Sequence, residues 1–151
     1  MFEKKEKEFE YPKALKLLME LEGFRKEAYR CPAGVLTIGY GHTECVVEEM
    51  LITQSDAETL LKQDILDFAK GLNKILPCRV NKNQFQALIS FVYNIGISAF
   101  VRSTCYKRIR EQNFNIIPNE LRRWVFADGI RLNGLANRRE KEAMLWQESV
   151  L

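Results

Sequence analysis

The sequence is poor in the residues that build metal sites. It contains one histidine, His42, and four cysteines, at positions 31, 45, 78 and 105. The cysteines lie far apart and form no Cys-x-x-Cys pair, which is the close spacing that cysteine zinc sites use. These absences argue against a metal centre, and we expect neither a metal nor another cofactor.

Long apolar runs and a strong charge imbalance are also missing. No apolar stretch approaches the roughly 20 residues of a membrane-spanning helix, and the charged N-terminus has no signal-peptide core. The net charge of +3 is mild, and no basic stripe or nucleic-acid motif accompanies it. We therefore expect a protein made in the cytoplasm, without stable membrane insertion and without a nucleic-acid partner.

The length and composition are those of one globular domain covering residues 1–151. With 46% hydrophobic and 28% charged residues, a chain of this length buries about two-thirds of its unfolded surface. No repeat, low-complexity run or linker divides it. The mostly charged residues 1–10 are predicted to form a frayed or exposed extension.

An apolar stripe on the first predicted helix, residues 11–25, ends in a carboxylate. Leucine and methionine hold the positions i, i+3 and i+4, and Glu22 holds i+7. A buried carboxylate costs several kcal/mol unless it is paired, and a carboxyl held protonated near neutral pH is what a general acid needs. The alternative is that Glu22, near the end of the helix, reaches into solvent. The stripe consists of Leu15, Leu18, Met19 and Glu22.

A glycine-rich hairpin follows this helix. Residues 31–34, CPAG, predict a turn, and residues 35–41, VLTIGYG, predict a strand. The hairpin turns the chain back toward the end of the first helix. Glu22, Cys31 and Thr37 are therefore expected to converge on one cleft.

The spacing of these residues resembles a known signature. Glu22, eight residues, Cys31, five residues and Thr37, ending in TIGYGHT, resemble the catalytic motif of the phage-type lysozymes. These are the endolysins of glycoside hydrolase family 24, related to the T4 phage lysozyme. Three later segments agree in order, so the resemblance covers residues 14–147. They are LISFVYNIG at 88–96, RSTCYKRI at 102–109, and the stretch from Trp124 through GLANRR to Glu142.

The resemblance implies an α+β, mainly α, lysozyme-like fold, with a small β-hairpin lobe, a larger helical lobe and a cleft between them. The periodicity predicts a long helix capped by Thr53 and a central helix, residues 82–95, capped by Asn81. Caps are also predicted at Ser98, Ser103 and Asn137, and a helix start at Pro118. Turns are predicted at the Asp-Gly and Asn-Gly pairs, residues 128–129 and 133–134.

For the site, the resemblance implies that Glu22 is the acid and that Cys31 occupies the position where Asp is commonest. A Cys31 thiolate is expected to stabilise positive charge, assist water or attack the sugar, and Thr37 is expected to hold the attacking water. An ordinary thiol is mostly neutral at pH 7, which makes it a weaker charge stabiliser than Asp. A disulfide between Cys31 and Cys45 after export is a further hypothesis.

Outside this triad, the resemblance implies that His42 binds at the cleft and pairs with Asp64 or Asp67. Tyr93 and Asn94 are expected to reach the glycan, the alternative being core packing and helix capping. The arginine pair at residues 138–139 is expected mainly to tie the last helix into the domain.

The implied function is hydrolysis of the β-1,4 bond between N-acetylmuramic acid and N-acetylglucosamine in peptidoglycan, causing bacterial lysis. The expected partner is the glycan strand of the cell wall. We expect a monomeric enzyme that reaches the wall after release from the cytoplasm. Two alternatives stay open. They are a lytic transglycosylase, which needs only the catalytic Glu, and a non-catalytic peptidoglycan-binding module.

Overall fold

The computed structural model describes residues 7–150, and most of them are helical. Of the predicted extension, residues 1–6 lie outside the described part, and Phe9 packs edge-on against the Tyr11 ring. The elements in order are α1 (Pro12–Glu22), β1 (Arg25–Arg30), β2 (Leu36–Gly39), α2 (Gln54–Ile75), α3 (Lys82–Ile95), α4 (Ile97–Val101), α5 (Thr104–Arg110), a 3-10 turn (Phe114–Ile116), α6 (Ile117–Arg122), β3 (Phe126–Ala127), β4 (Ile130–Arg131) and α7 (Asn133–Gln147).

The predicted hairpin is present and antiparallel. Tyr29 pairs with Thr37, and an irregularity in β1 shifts the register before Arg25 meets Gly39. The turn is closed by a 2.7 Å hydrogen bond from the Gly34 amide to the Cys31 carbonyl. Residues 50–52 pair with the other edge of β1, so that edge is covered by the chain that leads into α2.

Helix α3 lies at the centre of the core, as its nearly all-round apolar sequence predicts. It packs against α1, α2, α4 and α7. Asn81 forms a capping box, since its side chain accepts from the Gln84 amide at 2.8 Å and the Gln84 side chain accepts from the Asn81 amide at 2.9 Å. The fully buried apolar side chains of this helix are Ala87, Leu88, Ile89, Phe91 and Val92.

The long helix α2 also begins where the sequence indicates. The Thr53 hydroxyl accepts from the Asp56 amide at 3.1 Å, and the helix ends two residues before Pro77. Its buried stripe faces β2, α1 and α3, which joins the hairpin to the helical body. Among residues 7–150 no helix combines the length and the apolarity needed to cross a membrane.

Several predicted boundaries are wrong, and tertiary context explains them. Helix α1 ends at Glu22, not at residue 25, because the chain turns into β1. Ser98 lies inside α4, whereas Ser103 caps α5 as predicted. Pro118 is in the first turn of α6, one position later than predicted.

The last helix is the largest boundary error. Helix α7 begins at Asn133 and has no side-chain cap, so Asn137 is not a cap and the Asn133-Gly134 pair is not a turn. The Asp-Gly pair at residues 128–129 does form a turn, with φ angles of 49° and 75°, and it joins β3 to β4. This second hairpin was missed because its two-residue strands are too short to show alternation.

Removing the Asn81 cap tests the local origin of α3. Asn81→Ala leaves the Gln84 amide without its acceptor and should destabilise the protein by about 1 kcal/mol in urea denaturation. Asn113→Ala is the matched control, because Asn113 precedes the 3-10 turn without making a side-chain cap. Equal losses in the two variants would contradict the capping-box assignment.

Candidate active site

Glu22 is placed by the end of α1. It is the last helical residue, and Gly23 follows with φ 66°, which turns the chain sharply into the hairpin. The Glu22 side chain is 23% exposed, so it lies partly at the surface and not in the core. The predicted interruption of the apolar stripe is therefore a carboxylate at the boundary between buried surface and solvent.

A tight turn at the end of β2 meets this carboxylate. Ile38 and His42 exchange two backbone hydrogen bonds of 2.9 Å, which closes a loop over Gly39, Tyr40 and Gly41. Gly41 has φ 81°, and a Cβ built there would lie 3.2 Å from Glu22 Oε2. Glycine is therefore required both by the backbone angle and by the approach of the carboxylate.

Two side-chain contacts brace this turn against the helices. The Tyr93 hydroxyl of α3 donates to the Tyr40 carbonyl at 2.6 Å. On the other side, His42 Nδ1 lies 2.7 Å from Asp64 Oδ2 on α2, and Nε2 lies 2.8 Å from the Glu44 carbonyl. Of the two acidic partners left open by the sequence, the structure selects Asp64. Burial raises the pKa of Asp64, while the hydrogen bond with His42 opposes that rise.

Arg138 of α7 contacts Glu22 from the opposite side. Its Nη2 lies 2.8 Å from Glu22 Oε1, and its side chain is 8% exposed. Nε and Nη2 have no hydrogen bond of good geometry among the described residues, so the contact with Glu22 is an ion pair and not a directional hydrogen bond. The sequence interpretation, which made both arginines structural, missed this residue.

Asn94 and Arg139 meet beside this pair. Asn94 Oδ1 accepts a hydrogen bond from the Arg139 guanidinium. The side chain of Asn94 is exposed, and no hydrogen bond among residues 7–150 uses its Nδ2. That amide group is therefore a donor at the surface, available to a ligand, whereas Arg139 is 1% exposed and purely internal.

Cys31 and Thr37 form a separate group near the hairpin turn. Backbone hydrogen bonds at the turn, chiefly at Val35, together with the Thr37 hydroxyl, lower the pKa of the Cys31 thiol, and desolvation opposes them. The Thr37 hydroxyl also donates to the Val35 carbonyl at 2.9 Å. Since a hydroxyl has one proton, Thr37 donates either to that carbonyl or to a Cys31 thiolate.

A cavity of about 330 Å³ opens beside the glycine turn. Gly41, Tyr93, Thr43 and Phe68 form part of its wall, and the carboxylates of Glu44, Asp64 and Asp67 complete it. The lining of this cavity is therefore negatively charged. No group of three or more metal-binding side chains occurs within residues 7–150.

The structure brings the predicted residues together in subsets. Glu22, Gly41 and Tyr93 share one contact region. Cys31 and Thr37 share the hairpin turn, and neither makes a hydrogen bond or ion pair with Glu22 among the described residues. The sequence contains one signal for Arg138. Consecutive helical residues point about 100° apart, so two adjacent arginines rarely face the same surroundings.

Comparison with known proteins identifies relatives over most of the chain. A model of the phage lysozyme family matches residues 19–142. The endolysin of Acyrthosiphon pisum secondary endosymbiont phage 1 is 37% identical over 141 residues, which cover 91% of this chain and 97% of that protein. The endolysin of Bacillus phage B103 is 37% identical over 135 residues, covering 87% of this chain but 51% of that protein, so the chain spans about half its length.

A solved structure shows the same fold. The muramidase domain of SpmX from Asticaccaulis excentricus superimposes with a TM-score of 0.86 at 32% identity, covering 91% of this chain and 97% of that one. The fold and the matched residues place the chain in a class of peptidoglycan-degrading enzymes. It belongs to the phage lysozyme family.

Substituting Gly41 tests the close approach to Glu22. Gly41→Ala adds a Cβ 3.2 Å from the carboxylate, which must then move by a few tenths of an ångström. We expect kcat for peptidoglycan cleavage to fall several-fold, less than the roughly 100-fold that a displacement of about 1 Å at a reacting group causes. Gly129→Ala is the control, with φ 75° and nothing within 4 Å of its Cβ. Equal kcat losses would mean that backbone strain alone explains the effect.

Alkylation tests the thiol environments. Because the pKa of Cys31 is lowered and burial raises that of Cys105 to about 12, iodoacetamide at pH 7 should label Cys31 and spare Cys105 in the folded protein. Peptide mass mapping gives both rates, with the urea-unfolded chain as reference. The Cys31 rate should persist to lower pH than that of the unfolded thiol, and a midpoint at or above the unfolded one would contradict the assignment.

Proposed function

We propose that this chain is a muramidase of glycoside hydrolase family 24, related to the T4 phage lysozyme. Its substrate is the β-1,4 bond between N-acetylmuramic acid and N-acetylglucosamine, and it acts as an endolysin-type enzyme at the cell wall. The observation that carries the proposal is the position of Glu22. Its carboxyl is partly exposed, with Oε1 beside Arg138 and Oε2 facing Gly41.

Glu22 is the general acid of this proposal. Cleavage of a glycosidic bond requires a proton on the leaving oxygen, and the electron pair of the broken C–O bond stays on that oxygen. When Glu22 gives up its proton, the new carboxylate lies 2.8 Å from Arg138 Nη2. Arg138 then stabilises the negative charge that the transfer creates.

In this proposal Cys31 and Thr37 act on the sugar carbon and on the attacking water. The sugar carbon develops positive charge as the bond breaks, and water completes the hydrolysis. The lowered pKa of Cys31 increases the thiolate available to stabilise that charge, and Thr37 can accept a hydrogen bond from water through its free lone pairs. Inversion of configuration is expected, as in the resembling family.

The glycan contacts are proposed at His42, Tyr93 and Asn94. Asn94 offers its Nδ2 as a donor to a sugar oxygen. The polar atoms of His42 and Tyr93 are already used inside the protein, so these residues contribute ring surface and hold the backbone of the glycine turn. We propose that the enzyme works as a monomer, since one chain supplies every group named.

Replacing the acid tests the function. Glu22→Gln keeps the shape but removes the proton, and it should slow the loss of turbidity of purified peptidoglycan by at least about 100-fold. Glu20→Gln is the control, because Glu20 lies on the same helix and makes only a half-exposed 3.6 Å pair with Lys141. Unchanged lysis by Glu22→Gln would remove Glu22 from the mechanism.

Product analysis and the Cys31→Ser variant separate the alternatives. Reducing ends without anhydromuramic acid indicate hydrolysis. Anhydromuramoyl ends indicate a lytic transglycosylase, an alternative that stays open because Cys31 replaces the second carboxylate. Retained activity in Cys31→Ser would make the thiol dispensable. Binding without turnover by the wild-type protein under reducing conditions would instead identify a peptidoglycan-binding module.

A further inference from the structure

A fully buried carboxylate lies one turn beyond the arginine pair and is not used by the proposed chemistry. Glu142 of α7 is 0% exposed. Its Oε2 accepts from the hydroxyl of Ser90 on α3 at 2.6 Å, and Ser90 is also 0% exposed. The other oxygen, Oε1, pairs with Arg139. Glu142 therefore connects the last helix to the central helix through polar contacts within the core.

Arg139 is held on every side. Besides Glu142, its guanidinium donates to Asn94 Oδ1 and, through Nε, to the Trp124 carbonyl at 3.0 Å. Its Cζ also lies 4.9 Å from the centre of the Phe91 ring. Because all these contacts lie inside the protein, they fix the position of Arg139 and thereby the rotation of α7 about its axis.

Stability does not explain why this charge pair is buried. Replacing a buried ion pair by well-packed apolar residues is often neutral or stabilising, because desolvation offsets the attraction between the charges. What the pair supplies is direction, since carboxylate and guanidinium contacts depend on angle and apolar contacts do not. The direction that matters is that of the neighbouring Arg138.

Helix geometry transmits this setting to Arg138. Side-chain ends lie about 5–6 Å from the axis of a helix, so a rotation of α7 by 10° would move the Arg138 guanidinium by about 1 Å. The 2.8 Å contact with Glu22 would then be lost or compressed. A shift of that size at a catalytic group is enough to change the rate about 100-fold.

We propose that Glu142 and Ser90 are positioning residues for the acid, acting through Arg139 and Arg138 on Glu22. The proposal rests on the proposed function of Glu22. In this proposal the buried contacts between α7 and α3 align the Glu22 carboxylate, although they do not touch it.

Glu142→Gln is the principal variant, because it keeps the size and one polar contact but removes the charge. With soluble, uncrosslinked peptidoglycan strands as substrate, kcat should fall about 10-fold or more, with KM changed less than about 2-fold, at a temperature where circular dichroism shows the variant folded. Glu140→Gln is the matched control on the same helix, since Glu140 is half exposed and, among residues 7–150, pairs with Arg122 alone. It should keep the wild-type kcat.

A double-mutant cycle distinguishes positioning from general loosening. In an Arg138→Ala background, Glu142→Gln should cause no further loss of kcat, because the residue through which it acts is gone. The same loss in both backgrounds, or a change confined to KM, would overturn the proposal. If Glu142→Gln does not fold, Ser90→Ala, which removes only the 2.6 Å hydrogen bond, takes its place in the same cycle.

A stability cycle keeps the proposal separate from the enzymatic activity. The coupling free energy between Glu22 and Arg138, measured with Glu22→Gln and Arg138→Ala by urea denaturation, should disappear in the Glu142→Gln background. If the wild type failed to cleave peptidoglycan, the proposed function would be wrong, but the coupling measurement would still test the positioning. Unchanged coupling in Glu142→Gln would overturn the positioning itself.

Discussion

The approach of Glu22 to Gly41 constrains this structure more than any other contact. One carboxylate oxygen lies 3.2 Å from the place where any other residue would carry its Cβ. Gly41 adopts its positive φ without strain because it is glycine, and its surroundings hold the turn in place. The hydroxyl of Tyr93 and the contact between His42 and Asp64 supply those surroundings, from α3 and α2 respectively. The hairpin, the long helix and the central helix thus all meet at the site that presents the acid.

The second constraint comes from the arginine pair of α7. Arg138 reaches the acid, while Arg139 is enclosed by acceptors from α3, the segment before β3 and its own helix. A single helical turn therefore carries one arginine that contacts Glu22 and one that is enclosed in the core. The mutual hydrogen bonds of Arg139 and Glu142 offset part of the energetic cost of burying them. Their structural effect is to fix the orientation of α7.

The cysteines show how position decides thiol chemistry. Cys31 lies at a turn where hydrogen-bond donors face the sulfur, and its pKa is lowered. Cys105 is enclosed by apolar groups of the helical body, and burial raises its pKa to about 12. The Cys31 thiol therefore loses its proton at a lower pH than an ordinary cysteine, whereas the Cys105 thiol stays protonated at neutral pH. The same side chain is thus suited to charge stabilisation at one site and to packing at the other.

The sequence by itself determined most of the helices and the first hairpin, and it predicted Glu22 as the acid. Apolar periodicity and caps act over a few residues, so Asn81, Thr53 and the all-round apolar α3 were readable without a structure. The replacement of an apolar residue by Glu22 on a stripe was also a local signal. The start of α7 and the second hairpin were not readable, because their local signals are weak and the surrounding fold overrides them.

Only the tertiary structure decided the partners of Glu22 and His42. Asp64 and Asp67 carry the same side chain on one helix, and the direction of α2 against the hairpin selects Asp64. Arg138 and Arg139 are adjacent in sequence, yet a turn of about 100° between them sends one to Glu22 and the other into the core. Contacts between residues so distant along the chain depend on how helices pack, and this packing is a property of the assembled core that no short stretch of sequence contains.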